Sequence, residues 1–267
     1  MVLYDNRREA PIVKVCVLAS SSSGNSTFVA TSRTRILVDA GLSRSQTFER
    51  LCAIGESPEH LNGILISHEH TDHIAGLPAI VKKLGIPVYV SSLAAEALDW
   101  QDARPRLVTF QSGTSLEIGD IGVATFTVPH DAIDPVGFVL CGEGVRAGIV
   151  TDLGYVPDSL RIHLAGTDLL LLESNHDLEM LKVGPYPWSL KQRVMSRKGH
   201  LSNEVASRFI ADGMDSTVST LVLGHLSEQN NHPELVRLMA RQALESRNLA
   251  TRLIVAAPRK QTEAFEY

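Results

Sequence analysis

The chain is short of cysteine, of net positive charge and of long apolar runs, and each shortage excludes a class of protein. Its three cysteines, Cys16, Cys52 and Cys141, are odd in number, scattered, and nowhere spaced as CxxC. Neither a disulfide framework nor a cysteine-held zinc is indicated, and a reducing compartment is expected. The formal charge of −5 argues against a broad basic face, so any contact with nucleic acid must come from a local patch. No apolar run approaches the ~20 residues that a membrane-crossing helix needs. The N-terminal MVLYDNRREAP carries charges but is not followed by an apolar stretch with a small-residue cleavage site, so no secretory signal is read. There is also no internal repeat, Pro/Gly/Ser linker or low-complexity tail. At 267 residues, 44% apolar and 21% charged, the chain can bury a full core. The expectation is a cytoplasmic protein with no membrane association, folded as a single domain over residues 1–267; oligomeric state is not legible.

What the chain does have is concentrated at one point. The branched run GILIS (63–67) reads as a buried strand. It delivers the backbone into His68-Glu69-His70-Thr71-Asp72-His73, three imidazoles and two carboxylates within six residues. Groups packed that closely repel one another, and a bound cation removes the cost because imidazole and carboxylate are its ligands. Histidines at i and i+2 followed by Asp-His do not share one helical face. They suit a loop that curls round one or two ions at the carboxyl end of a strand.

Taken in order, 12–18, 27–30 and 35–39 read as strands, with Ser20–Ser26 (SSSSGNS) between the first two. That segment is either a plain turn or a cradle of hydroxyls and N–H groups for an oxyanion, in which Ser23 and Asn25 would touch substrate. Ser43 can cap a helix over 44–53, Ala75–Leu84 reads as a helix stopped by Gly85 and Pro87, and 88–90 is a strand followed by a helix over Ser91–Trp100. The Gly-punctuated runs 106–110, 114–118, 121–128, 136–141 and 145–150 suit antiparallel strands of a second sheet. The LLLL run at 169–172 is a buried strand, helices are expected over 203–212 and 233–246, and 252–257 is a last strand.

Several runs stop on an acid or an imidazole: His130, Asp152, Glu173 and His225. A lone histidine at a strand end is usually structural, but so many beside HEHTDH shift the balance, because strand ends converge at one rim of a sandwich. His200 follows a glycine and precedes a helix, whose N-terminus attracts anions, and is the candidate proton donor to a leaving oxygen. Glu173 is expected to orient a histidine, with Asn175 and His176 lining the cleft. From Lys182 to His200 the chain carries Lys182, Lys191, Arg193, Arg197 and Lys198 without one acid, interleaved with Tyr186 and Trp188. This is either a solvated helix face or a surface for single-stranded nucleic acid.

HEHTDH, with Asp39 upstream and His130, Asp152 and His225 downstream, resembles the five signature motifs of the metallo-β-lactamase-fold hydrolases. SSSGNS (21–26), HDAIDPVGF (130–138), TDLG (151–154), LLLESNHD (170–177), GHLSN (199–203) and LGHLSEQNN (223–231) resemble in particular its YycJ/WalJ-like group. The resemblance implies an α+β fold, a four-layer αββα sandwich with metals at one edge. It implies one ion held by His68, His70 and His130, a second by Asp72, His73 and His225, Asp152 bridging them, and Asp39 orienting a ligand from behind. The inserted cap of the fold's RNA-processing nucleases has no room between Asp152 and His200. Two divalent ions are expected, Zn²⁺ or Mn²⁺, with Fe also compatible. Asp72, Glu173 and His200 are the candidate catalytic residues. Ser23, Asn25, Asn175, His176, Lys191, Arg193, Ser202 and Asn203 are the candidate substrate contacts. The implied activity is a dinuclear, metal-dependent phosphodiesterase or nuclease acting on DNA, exonucleolytic from the 5′ end, by attack of a metal-bridged hydroxide. The alternative is a small-molecule metallo-hydrolase of a thioester, lactone or cyclic nucleotide.

Overall fold

Period-two alternation sorts the strand residues into layers. The computed structural model describes residues 13–267, so the N-terminal segment read for a signal, and Ile12 of the first expected strand, lie outside the described residues. The first sheet holds β1 (Lys14–Ser21), β2 (Gly24–Ala30), β3 (Arg35–Val38), β4 (Gly63–Leu65), β5 (Pro87–Ser91) and β6 (Arg106–Phe110). The second holds β7 (Ser115–Ile118), β8 (Ile121–Thr127), β9 (Val136–Gly142), β10 (Val145–Val150), β11 (Leu169–Glu173), β12 (Thr220–Gly224) and β13 (Arg252–Val255). The chain then returns to the first sheet as β14 (Phe265–Glu266), antiparallel to β1.

On β1, Val15 and Val17 face the second sheet while Cys16 and Leu18 face outward to helices. On β11, Leu169 and Leu171 face the first sheet while Leu170 and Leu172 face outward. A strand buried on both faces is apolar throughout, which is why LLLL reads as a strand without visible alternation. Three cores result. One lies between the sheets and is filled from both, for example by Ile36, Phe138 and Val222. Another packs α1 (Arg44–Ala53), α3 (Leu77–Leu84) and α4 (Ser92–Ala95) on the first sheet, with α2 (Thr71–Ile74) beside them. The last packs α5 (Asp158–His163), α8 (Asn203–Asp212) and α9 (Pro233–Ser246) on the second sheet, through Leu160, Phe209, Ile210 and Val236. Between α5 and α8 lie α6 (Leu178–Val183) and α7 (Trp188–Val194). Three cores in series make four layers, the αββα sandwich.

Both sheets follow the same plan. β14, β1, β2 and β3 run antiparallel and β3 to β6 parallel; β7 to β10 run antiparallel and β10 to β13 parallel. The repeat is therefore topological although the sequence shows none.

Most expected helix bounds agree with the structure, because their caps are local. Ser43 accepts from Gln46 N at the start of α1, Gly85 closes α3 with φ +66°, and Ser202 accepts from Val205 N at the start of α8. Three expectations are corrected. The run 106–110 joins the first sheet, parallel to β5, instead of opening the second. The helix expected over Ser91–Trp100 lasts one turn, with Leu93 left 58% exposed and so no packing to extend it. The loop expected through the histidine motif holds a turn of helix, Thr71–Ile74, ahead of the expected helix, which runs over Leu77–Leu84.

Candidate metal centre

Parallel strands end at a common rim, and the chemistry of this chain collects there. Asp39 follows β3, Ser67 and His68 follow β4, Asp152 follows β10, Glu173 ends β11, and His225 follows β12. His130 arrives from the loop after β8, and α2 turns Asp72 and His73 back over the ends. Asp39, Asp152 and His225 adopt left-handed backbone, with φ of 63°, 61° and 55°. A non-glycine residue rarely does so. Each of the three turns its side chain off the strand axis into the rim, strain typical of functional sites.

Four overlapping groups of ligand atoms lie within 4.8 Å of one another: His68, His70 and His130; Asp72, His73 and His225; His68, His73 and Asp152; and Asp152, Glu173, His200 and His225. The outward nitrogen of the imidazoles is tied. Asp39 Oδ2 accepts from His73 Nδ1 at 2.8 Å, Glu173 Oε1 from His225 Nδ1 at 2.7 Å, Gly199 O from His130 Nδ1 at 3.2 Å and Ser67 Oγ from His68 Nδ1 at 3.0 Å. Ser67 Oγ can accept there because its own proton goes to Asp39 Oδ2 at 2.8 Å, while Ser67 N donates to Asp39 Oδ1. Each tie puts the ring proton outside and leaves a lone pair aimed inward.

Those inward atoms crowd one another, and not all of them find a partner. His73 Nε2 lies 3.2 Å from Asp152 Oδ2 and 3.5 Å from Asp72 Oδ2. His225 Nε2 lies 3.3 Å from Asp72 Oδ2, and His130 Nε2 lies 3.2 Å from His70 Nδ1. His68 Nε2 and Asp152 Oδ2 are buried with no hydrogen-bond partner. Ligand atoms about 2.1 Å from a tetrahedral ion are about 3.4 Å apart, which is the spacing seen here. The donor set fits divalent metal ions.

The titration behaviour without metal has the same origin. Burial opposes charge on His73, yet Asp152, Asp39 and Asp72 drive it well above the usual imidazole value. His225 is likewise disfavoured by burial and raised by Asp152, Asp72 and Glu173. His68, with no such carboxylate bond, is pushed well down by burial and by His73. Burial works against the Asp72 charge, but His73 and His225 hold its carboxyl below the usual range. Protons thus take the place of cations between acceptor groups.

Glu173 is fully buried and all its lone pairs are used. Oε1 accepts from His200 Nδ1 at 2.8 Å and from His225 Nδ1 at 2.7 Å; Oε2 accepts from Leu153 N at 2.9 Å and Leu201 N at 3.0 Å. Against burial, His200 and His225 hold its pKa at about 2. His200 is the partly exposed member, and Glu173 raises it despite burial.

Most expected substrate contacts are turned to other work. Asn25, 5% exposed, donates Nδ2 to Asp72 Oδ2 at 3.1 Å, lies 3.1 Å from His73 Nε2 and also binds Ser21 O. Its amide nitrogen is thus turned toward Asp72 and His73. Asn175 donates to His225 O, and Asn203 is buried in a net with Ser174 and Asn231. Ser202 caps α8, and its backbone pairs with buried His176, whose pKa is pushed down to about 4 by burial. Lys191 is buried and donates Nζ to Lys182 O. Ser23 stays exposed and donates to Glu228. The basic segment is also less free than its charge suggests: Lys182 pairs with Glu179, Arg193 with Asp131, and Arg197 stacks over Tyr155 at 4.0 Å. The reason is the fold, which supplies acids and carbonyls from segments far away in sequence. Sequence reasoning missed the roles of Ser67 and Asn25; the Ser directly before the first histidine was the available signal.

Comparison with known proteins agrees with this geometry. Residues 34–226 match the beta-lactamase superfamily domain. The chain is 38% identical over 234 residues to the exodeoxyribonuclease YycJ of Bacillus anthracis, covering 86% of this chain and 89% of that one. It is 37% identical over 231 residues to the exodeoxyribonuclease WalJ of Streptococcus pneumoniae strain D39, covering 84% and 86%. Among solved structures, the metallo-β-lactamase-fold protein YhfI of Bacillus subtilis superposes with a TM-score of 0.74 at 18% identity, over 97% of this chain and all of that one.

Proposed function

The chain belongs to the metallo-β-lactamase superfamily, and from that premise we propose that it is a metal-dependent exonuclease that hydrolyses DNA from the 5′ end. The kinship to two exodeoxyribonucleases along most of the chain supports the reaction class. One observation carries the metal part: inward lone pairs of His68, His70, His73, His130 and His225 meet Asp72 and Asp152 at ligand spacing, each tied ring fixed from behind. We assign His68, His70 and His130 to one ion and Asp72, His73 and His225 to a second, with Asp152 between them. Zn²⁺ or Mn²⁺ matches this nitrogen and oxygen set. Bound divalent ions would supply Lewis acidity that makes a water nucleophilic at neutral pH and would offset charge on the phosphate.

The chain's own residues do the rest. Asp39 fixes the His73 ring and, through Ser67, the His68 ring. Glu173 fixes His225 and, with the same oxygen, orients His200. With Nδ1 tied to Glu173, protonated His200 can offer Nε2–H to the leaving oxygen of the phosphodiester, where a proton is needed as the bond breaks. His200 is thus the proposed general acid and Glu173 its positioning residue. We further read the chain as one domain without a cap: a single inter-sheet core is filled from both halves, and β14 returns to β1.

The test is degradation of single-stranded DNA and RNA, labelled at either end, by purified protein with Mn²⁺. Expected is stepwise loss of nucleotides from the 5′ end of DNA, abolished in Asp152→Asn. Turnover of a chromogenic thioester or lactone without oligonucleotide cleavage would replace this reading with the small-molecule one.

A further inference from the structure

Lys182 and Arg193 of the basic segment are paired with acids, and the other flank of the metal centre carries a second basic surface. Two cavities of about 340 and 440 Å³ adjoin there, sharing Gln46, Arg50 and Arg259 as a common wall. Each is within the range of ligand-sized clefts, and together they make an elongated groove. Ser21 and Ser23 line one end, and Lys260 and Gln261 the other.

The Ser20–Asn25 loop is the partition between groove and metal ligands. Asn25 touches Asp72 and His73 on one side, and Ser21 and Ser23 face the groove on the other. The charge is only partly neutralised. Arg259 shares its fork with Glu228, at 3.2 and 2.8 Å, and Glu49 lies on the rim. Arg50, which spends its guanidinium on the carbonyls of Leu18 and Arg259, keeps its full charge because carbonyls do not cancel it. Exposed Lys260 adds a further cation. The cations therefore outnumber the two acids. Hydroxyls, amides and guanidinium groups dominate the lining, and no aromatic side chain is among the lining residues, so the wall suits phosphate and sugar more than a stacked base.

We propose that this groove is a backbone-binding track for the nucleic-acid strand beyond the scissile bond. It rests on the nuclease reading and adds to it a substrate site that recognises phosphodiesters without regard to base. A short diester reaches only the metal centre, whereas a long strand also reaches the track.

The experiment compares the parent with K260E, at an exposed position, and with R259Q. Binding of a 20-nucleotide single strand to chelator-treated protein is followed by fluorescence anisotropy across salt. Expected is a roughly tenfold weaker affinity for K260E, and a salt slope shallower by about 0.7 for each phosphate no longer neutralised. With Mn²⁺ restored, the ratio of kcat/KM on the oligonucleotide to that on bis(p-nitrophenyl) phosphate should fall about tenfold in both variants. An unchanged ratio and slope, in a parent that cleaves the oligonucleotide, overturns the track and leaves the nuclease reading intact. A parent that cleaves the small diester but neither binds nor cleaves the strand overturns both. Displacement of the strand by a deoxynucleoside monophosphate at similar affinity would make the groove a free-nucleotide site and overturn its assignment to a strand.

Discussion

Glu173 accepts from two imidazoles with one oxygen and from two backbone N–H groups with the other. Glu173→Gln keeps its volume but loses charge, and an amide cannot accept from His200 and His225 together with two backbone N–H groups. Turnover should fall at least ~100-fold, the usual worth of general acid–base help, and metal content should fall as His225 loses its tie. His200→Ala should cost similar turnover yet keep the metal, because no assigned ligand is held by it. Metal analysis beside kcat separates the two; equal metal loss in both variants would make His200 structural. At this scale the sequence was partly legible. HEHTDH announced itself by density, and His130, Asp152 and His225 by falling where apolar runs stop. The protein partners of Asn25, Ser202 and Lys191 were not legible, because composition tells what a side chain can bind and not which neighbour folding brings to it.

At the scale of elements, the rim depends on how closely its turns approach. A Cβ on Gly41 would sit 1.7 Å from Asp72 O and 2.7 Å from Asn25 N, so the turn after β3 can lie against the ligand turn only without a side chain. Gly41→Ala should cost about 2–3 kcal/mol by overpacking, since the obstruction is backbone. It should also lower metal content by displacing Asp72. Gly122→Ala, whose Cβ would meet nothing nearer than Cys141 O at 3.8 Å, is the matched control and should melt within a degree or two of the parent. Thermal melts and metal analysis of the two variants decide this. Helix bounds were readable where a capping serine or a glycine fixes them locally, as in α1, α3 and α8. Strand partnership was not: β6 carries an apolar run like its neighbours downstream, and its place in the first sheet follows from the crossover before it, which leaves no mark on a short segment.

For the whole molecule, the metal centre sets how stability responds to pH. In metal-free protein His73 and His225 have raised pKa values. Their contribution is fully present below the unfolded value of about 6.5 and is lost as pH rises through the folded ones. Asp72 and Asp152 are depressed, so their contribution is present above about 3.9 and lost as pH falls through the folded values. Metal requires neutral imidazoles, so loading displaces these protons and tightens with pH. Chelated protein should therefore lose melting temperature between pH 6 and 9 while the gap to loaded protein widens; parallel curves would mean that the site does not hold metal. No helix among the described residues is long and apolar enough to cross a membrane.

The return of β14 to β1 has a practical side. Those two residues pair with the outer edge of β1, Lys14 opposite Glu266 and Val15 opposite Phe265, and Tyr267 and Thr262 extend the cover through bonds to Val13 and Val17. Peeling them away would leave N–H and C=O groups of an otherwise buried strand facing water, a row that any extended peptide could dock against. Loosening this edge is therefore a threat to colloidal behaviour more than to chemistry.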